Sequence, residues 1–376
     1  MKRYNTLHKL VAMALLAITC QQSQAQNSTP VTITSTSVPF LRINPDTRAG
    51  GMGDASLATP GDANSVYNNL SKTVFINSGS DNQITANYSP YLRDLVNDMY
   101  LISAGYSHKV DDNQSFSASI RYFSLGNVTV NDYNGTQLPS ASPNEFSFDV
   151  GYSRKLDPHF ALAVAFRYIN SNLYSGENVG GQIYKTGQTV SGDVTMYYNG
   201  LNGDGEGFTA GLALSNIGGK ISYLENSAEK DYIPTNLGIG GAYTVVPADN
   251  NRLTFAIDVN KLLVPPVPSD PKQIDTYYNQ SVIEGWFKSF NSSALTGNFG
   301  AEYAYNDMFM LRAGYVANPK SEGLSSGATF GLGAKLKDIM LNFSYMAASG
   351  SVTTRNPLSN TIRLGLVFDL GKTTKK

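Results

Sequence analysis

The sequence has one cysteine, one tryptophan and three histidines in 376 residues, and only 15% of its residues are charged. One cysteine excludes a disulfide framework, and so few histidines leave little for a zinc site. Lys+Arg number 28 against 29 Asp+Glu, which provides no basic footprint for nucleic acid. No apolar run reaches the roughly 18 residues that a membrane-crossing helix needs. What is abundant is tyrosine (23), phenylalanine (17) and glycine (35), a composition suited to extended strands in an unusual solvent.

The first 25 residues have the form of a secretory signal peptide. Lys2, Arg3 and Lys9 supply the basic region, residues 10–18 (LVAMALLAI) the apolar one, and Ser23-Gln24-Ala25 a cleavage site. A lipoprotein acylated at Cys20 is the alternative, though Ala17-Ile18-Thr19 is a poor match to the small-residue sequence that usually precedes such a cysteine. Cleavage after Ala25 removes the only cysteine, so the mature chain must be stabilised without disulfides. A closed barrel in a lipid bilayer is one way to do so.

From about residue 80 the chain alternates with period two, the signature of strands. Phe146, Phe148, Val150 and Tyr152 share one face, opposite Ser147, Asp149, Gly151 and Ser153. Fourteen such segments begin near residues 83, 99, 115, 145, 159, 189, 207, 235, 251, 297, 308, 327, 338 and 360, the first and sixth being the weakest. Sandwiches, propellers and membrane barrels all use many alternating strands. The connections choose between them, because short links such as 109–113, 155–158, 247–250, 306–307 and 337–338 alternate with long ones. Outer-membrane barrels sort their loops this way, since odd and even connections face different compartments. Tyr106, Tyr122, Tyr152, Tyr243, Tyr305, Tyr315 and Tyr345 fall towards strand ends, as an interfacial girdle would. The expectation is an all-β protein: a transmembrane antiparallel β-barrel of about 14 strands over 80–370, preceded by a non-strand segment at 26–79 and followed by a short tail at 371–376.

Within the non-strand segment lies Arg48-Ala49-Gly50-Gly51-Met52-Gly53, followed by Asp62-Ala63-Asn64-Ser65 and Asn69. No GK[ST] follows these glycines, so they do not form a phosphate loop. The two stretches resemble the N-terminal hatch of FadL-type outer-membrane barrels, which are fourteen-stranded. Within that superfamily the sequence is similar to the PorV carriers of the type IX secretion system. Residues 43–53, 91–98, 215–218, 258–265 and 311–315 carry the likeness across the mature chain. The resemblance implies a hatch folded into the lumen, with Arg48, Gly50, Gly51, Met52, Gly53, Asp62 and Asn69 as its motif. It also implies partners: secreted cargo bound through a C-terminal signal domain, the translocon barrel, a surface attachment complex and outer-membrane lipid. The sequence departs from the superfamily in having Asn69-Leu70-Ser71 where Asn-Pro-Ala is usual, which weakens any hydrophobic-ligand role for that turn.

No enzyme and no cofactor is expected. His108 and His159 lie beside short turns on different strands, where a hydrolytic triad would not assemble. Residues 199–206 have oxygen ligands at alternate places but not the spacing of a Ca²⁺-binding EF-hand, and Asp111-Asp112 sits in a solvated turn. The informative connection is 262–296. It opens with Leu263, Val264 and three prolines in an apolar, polyproline-biased stretch, and then places Val282, Ile283, Trp286, Phe287 and Phe290 at helical spacing. That face could fold down over the barrel mouth, anchor a protein partner, or rest at the membrane interface. The candidate partner-binding residues are therefore Leu263, Val264, Ile283, Trp286, Phe287 and Phe290, on loops facing the exterior of a Gram-negative outer membrane. Two alternatives are a transporter of hydrophobic small molecules and a purely structural barrel.

Overall fold

The computed structural model describes residues 34–76, 79–93, 98–128, 140–174, 178–179, 182–225, 229–292, 295–319, 325–347 and 356–371. The expected signal peptide, the start of the polar tract and the tail beyond residue 371 lie outside them, as do parts of the loops at 126–144, 171–188 and 347–359.

Among the described residues sixteen strands follow one another. They are β1 (Asn82–Pro90), β2 (Met99–Asp111), β3 (Gln114–Leu125), β4 (Asn144–Lys155), β5 (Phe160–Asn172), the short pair β6 (Asn178–Val179) and β7 (Gln182–Ile183), β8 (Gly187–Leu201), β9 (Gly207–Gly218), β10 (Asn236–Ala248), β11 (Asn251–Leu262), β12 (Thr296–Tyr305), β13 (Phe309–Ala317), β14 (Gly327–Leu336), β15 (Ile339–Met346) and β16 (Thr361–Asp369). All but β6 and β7 join one closed antiparallel barrel of fourteen strands, sealed where β1 pairs with β16 through Gln83↔Asp369 to Tyr88↔Leu364. Closure leaves no strand edge with unpaired backbone groups, the condition for a sheet that meets lipid.

Burial runs opposite to that of a water-soluble protein. Phe148 is 49% exposed and Phe166 55%, whereas Ser147 is fully buried and Arg167 3% exposed. The apolar row of each strand faces outwards and the Ser, Thr, Asp and Arg row faces the lumen, which suits a hydrocarbon surround. Among the described residues no helix is long and apolar enough to cross a membrane.

Residues 34–76 fill the lumen with short helical turns: Pro39–Arg42, Thr47–Gly50, Ser65–Asn68 and Leu70–Phe75. The segment enters at the long-loop end, where the Ser37 amide donates to Tyr232 O at 3.0 Å. There Val38, Phe40, Leu41 and Ile43 form an apolar seal with Leu101, Phe123, Ile169, Val316 and Met346 from the strand ends. It leaves at the short-turn end, where Thr73 Oγ1 donates to Ser153 Oγ at 3.1 Å and Lys155 Nζ lies 4.9 Å from the Phe75 ring centroid.

Candidate functional site

Two regions hold the candidate residues: the hatch within the lumen and a helix at the long-loop end.

The hatch is fastened to the wall by charge and by close backbone approach. Arg48 donates from Nε and Nη2 to Glu302 at 3.0 and 2.7 Å, and from Nη1 to Asp62 Oδ2 at 2.8 Å. Glu302, an inward residue of β12, also accepts from Arg312 Nε at 2.6 Å. The wall residue Arg363 likewise binds Asp54 of the hatch at 2.9 Å. Paired guanidinium and carboxylate groups of this kind fix orientation as well as charge.

The glycines of the motif serve packing. Gly53 holds φ at +65°, and its amide donates to Thr329 Oγ1 at 2.8 Å. Opposite it, a Cβ on Gly314 of β13 would collide with Gly53 N. A Cβ on Gly51 would stand 2.8 Å from the Gly331 backbone of β14, and one on Gly50 would strike Ser344 and Arg363. Hatch and wall thus meet backbone to backbone, with Met52 fully buried between them. Asn69, also fully buried, donates from Nδ2 to Leu57 O at 2.9 Å and Met196 O at 3.0 Å, and Ser71 donates to its Oδ1 at 2.5 Å. Leu70-Ser71 therefore continues as a wall-bound turn where the superfamily has Pro-Ala.

Burial, reinforced by neighbouring Asp62, pushes the Asp46 carboxyl up to about 7. Burial pulls the Lys72 ammonium down to about 8, its Nζ donating to Ser56 O at 2.6 Å and Thr59 Oγ1 at 3.2 Å.

The second region is the connection after β11. Its helix, Val282–Ser289, starts on Ser281, whose Oγ accepts the Glu284 amide at 3.2 Å, and carries a Glu284–Lys288 ion pair at 2.8 Å. Its small residues face the protein. Gly285 lies so close to the Tyr232 ring that a Cβ there would be 2.8 Å from Cε1. Tyr232 is braced by Tyr277, with ring centroids 5.5 Å apart, and by Lys220 Nζ, 4.0 Å from its ring centroid.

The apolar stripe consequently faces away from the protein. Ile283, Phe287 and Phe290 are 61%, 74% and 61% exposed. Folding down over the mouth is thus not what this face does. Trp286 is half-buried, with its Nε1 enclosed. Leu263 and Val264 are buried, Val264 against Tyr232 and Tyr277, so this pair supports the loop from beneath and offers no surface. The polar turn at 202–206 closes on itself, Asn202 Oδ1 accepting the amides of Asp204 and Glu206 at 3.0 Å. His108 Nδ1 lies 2.8 Å from Asn82 Oδ1, and His159 Nδ1 2.8 Å from Asn199 O, at two separate strand ends.

Sequence reasoning missed Glu302, Arg312, Arg363 and Asp54. For Glu302, Arg312 and Arg363 the signal was charge at inward positions of strands whose other inward residues are mostly uncharged, whereas Asp54 lies in the hatch, outside any alternating segment.

The closed fourteen-strand barrel with an apolar exterior and a lumenal hatch is an outer-membrane barrel of FadL-like fold. The toluene transporter TodX of P. putida shares it, with a TM-score of 0.51 and 13% identity over 86% of this chain and 98% of that one. The toluene transporter TbuX of Ralstonia pickettii is similar, with a TM-score of 0.51 and 11% identity over 87% and 97%. At such identities the likeness concerns fold. Comparison with curated proteins finds no match. The family model "Type IX secretion system protein PorV" matches residues 23–270, more than half of the chain, and the chain belongs to that family. Its place is therefore with the type IX secretion system.

Proposed function

We propose that the protein is an outer-membrane carrier that binds secreted cargo by a C-terminal signal domain at the translocon barrel and delivers it to a surface attachment complex. The long-loop end would face the cell exterior, and the protein would act by binding, without catalysis. The observation that carries this reading is the exposed stripe of Ile283, Phe287 and Phe290 on a helix held in place by Tyr232, Tyr277 and Lys220. Rigid aromatic anchors of this kind dominate protein interfaces, whereas an isolated soluble surface seldom displays them together. The filled lumen supports the same reading, since a mount for loops has no need of a conduit.

Transport of hydrophobic molecules fits less well. The lumenal cavity mixes Asn, Ser, Arg and Asp side chains with Leu, Ile and Pro rather than being wholly apolar, and the hatch turn is Asn69-Leu70-Ser71. The test is gentle detergent extraction from the native membrane, followed by identification of what stays bound. Secreted chains sharing one C-terminal domain, or a large second barrel, are expected. A barrel that emerges with bound apolar small molecules and no stoichiometric protein would overturn the reading.

A further inference from the structure

Between the apolar seal and the body of the hatch lies a cavity of about 460 Å³, within the size range of small-molecule sites. Its wall is polar in part. On one side Asn236 donates to Asn260 at 3.0 Å, Asn260 to Asn298 at 3.0 Å, and Asn298 to Gly53 O at 2.6 Å, a relay of amides across β10, β11 and β12. On the other side, across the barrel on β3, lies Arg121.

Arg121 differs from the other buried inner-wall arginines among the described residues. Arg167 pairs with Asp149 and Asp193, Arg312 with Glu302, and Arg363 with Asp54. Arg121 is 4% exposed and has no ion-pair partner. Its Nη2 donates to Tyr67 O at 3.1 Å, its guanidinium carbon lies 5.6 Å from the Tyr67 ring centroid, and its Nε has no hydrogen-bond partner. Asp149 and Asp193 attract it from a distance, but both are engaged directly by Arg167, so the Arg121 guanidinium has no carboxylate of its own, a costly arrangement for a buried charge. An anion in the adjoining cavity would neutralise it.

We infer that this cavity is a binding site for a carboxylate carried on a hydrogen-bonding body, with the carboxylate at Arg121 and hydroxyl or amide groups on the Asn236–Asn260–Asn298 relay. A free hydroxy acid and the carboxy-terminus of a peptide share this chemistry. The site does not depend on the carrier reading, since it lies inside the barrel and uses none of the outer helix.

The experiment is calorimetric titration of the detergent-solubilised full chain with gluconate against sorbitol, and with triglycine against triglycinamide, at equal ionic strength. At least one acid is expected to bind ten times or more tighter than its neutral counterpart, and the better acid identifies the source. Arg121→Gln should abolish that preference while Arg121→Lys retains part of it. Equal binding of acid and neutral probe by the unaltered protein, or no binding of either acid, overturns the site even if neither variant folds. An acid preference that survives in Arg121→Gln also overturns it.

Discussion

Replacing Ile283, Phe287 and Phe290 together by serine is expected to lower cargo retention at the membrane by more than ~30-fold, with the barrel assembling as before. The three side chains are 61%, 74% and 61% exposed, so the folded protein loses little when they are shortened. Exposed substitutions of this kind change stability by about 0.5 kcal/mol or less. An aromatic anchor seated in a partner's pocket is worth about 2 kcal/mol or more, and about 1.4 kcal/mol is already tenfold in affinity. Partition of secreted protein between cell surface and medium measures the effect, with heat-modifiable migration as the check on barrel assembly. The contrasting pair Leu263→Ser and Val264→Ser should act differently. Both residues are buried beneath the loop, and their loss would loosen the helix mount. Unchanged retention in the triple variant would remove the helix from the binding surface and leave it a contact with lipid.

Glu302→Gln is expected to have the largest effect on stability, about 3–5 kcal/mol, the range found when one member of a buried ion pair is removed. Glu302 neutralises two guanidinium groups at once, Arg48 of the hatch and Arg312 of the wall. The amide keeps the shape and one acceptor oxygen but leaves both cations inside the lumen with less than their charge in return. Arg48 retains Asp62, and Arg312 retains only neutral Asn342 Oδ1 at 2.8 Å and Leu332 O at 3.4 Å. Denaturant titration in detergent, followed by proteolysis of the hatch, measures the loss. Asp62→Asn should cost less, because its side chain is 27% exposed and water can replace it. A change below about 1 kcal/mol for Glu302→Gln would mean that glycine packing, and not charge, seats the hatch.

The barrel was legible because its alternation is imposed by two solvents, lipid outside and polar lumen within. Every strand start expected from the sequence lies within two residues of the observed one. The sixth segment was weak for a local reason: β8 and β9 shift register between Gly192 and Val194, a bulge that breaks the period. There Asp193 accepts the Asn216 amide at 2.7 Å. The hatch carries no such periodicity. Its turns are too short to declare themselves, and they are held by partners far along the chain, such as Arg48 with Glu302. The glycine motif was visible, but only the opposing Gly314 and Gly331 show why a side chain is excluded.

The outer helix was legible in its spacing and not in its orientation. Heptad-like placement of Val282, Ile283, Trp286, Phe287 and Phe290 suggests an apolar face that turns inwards. Tyr232, from the preceding long connection, instead takes Gly285 as its neighbour and turns Phe287 outwards. Nothing local to the helix encodes that choice.

The most direct measurement is a photo-activated cross-linker placed at position 287 of the full chain in its native cells, with identification of the adducts. The expected adducts are secreted proteins that share a C-terminal domain, captured only while secretion is active. Cross-links to lipid alone, with no protein adduct under active secretion, would contradict the carrier function assigned to this end of the barrel.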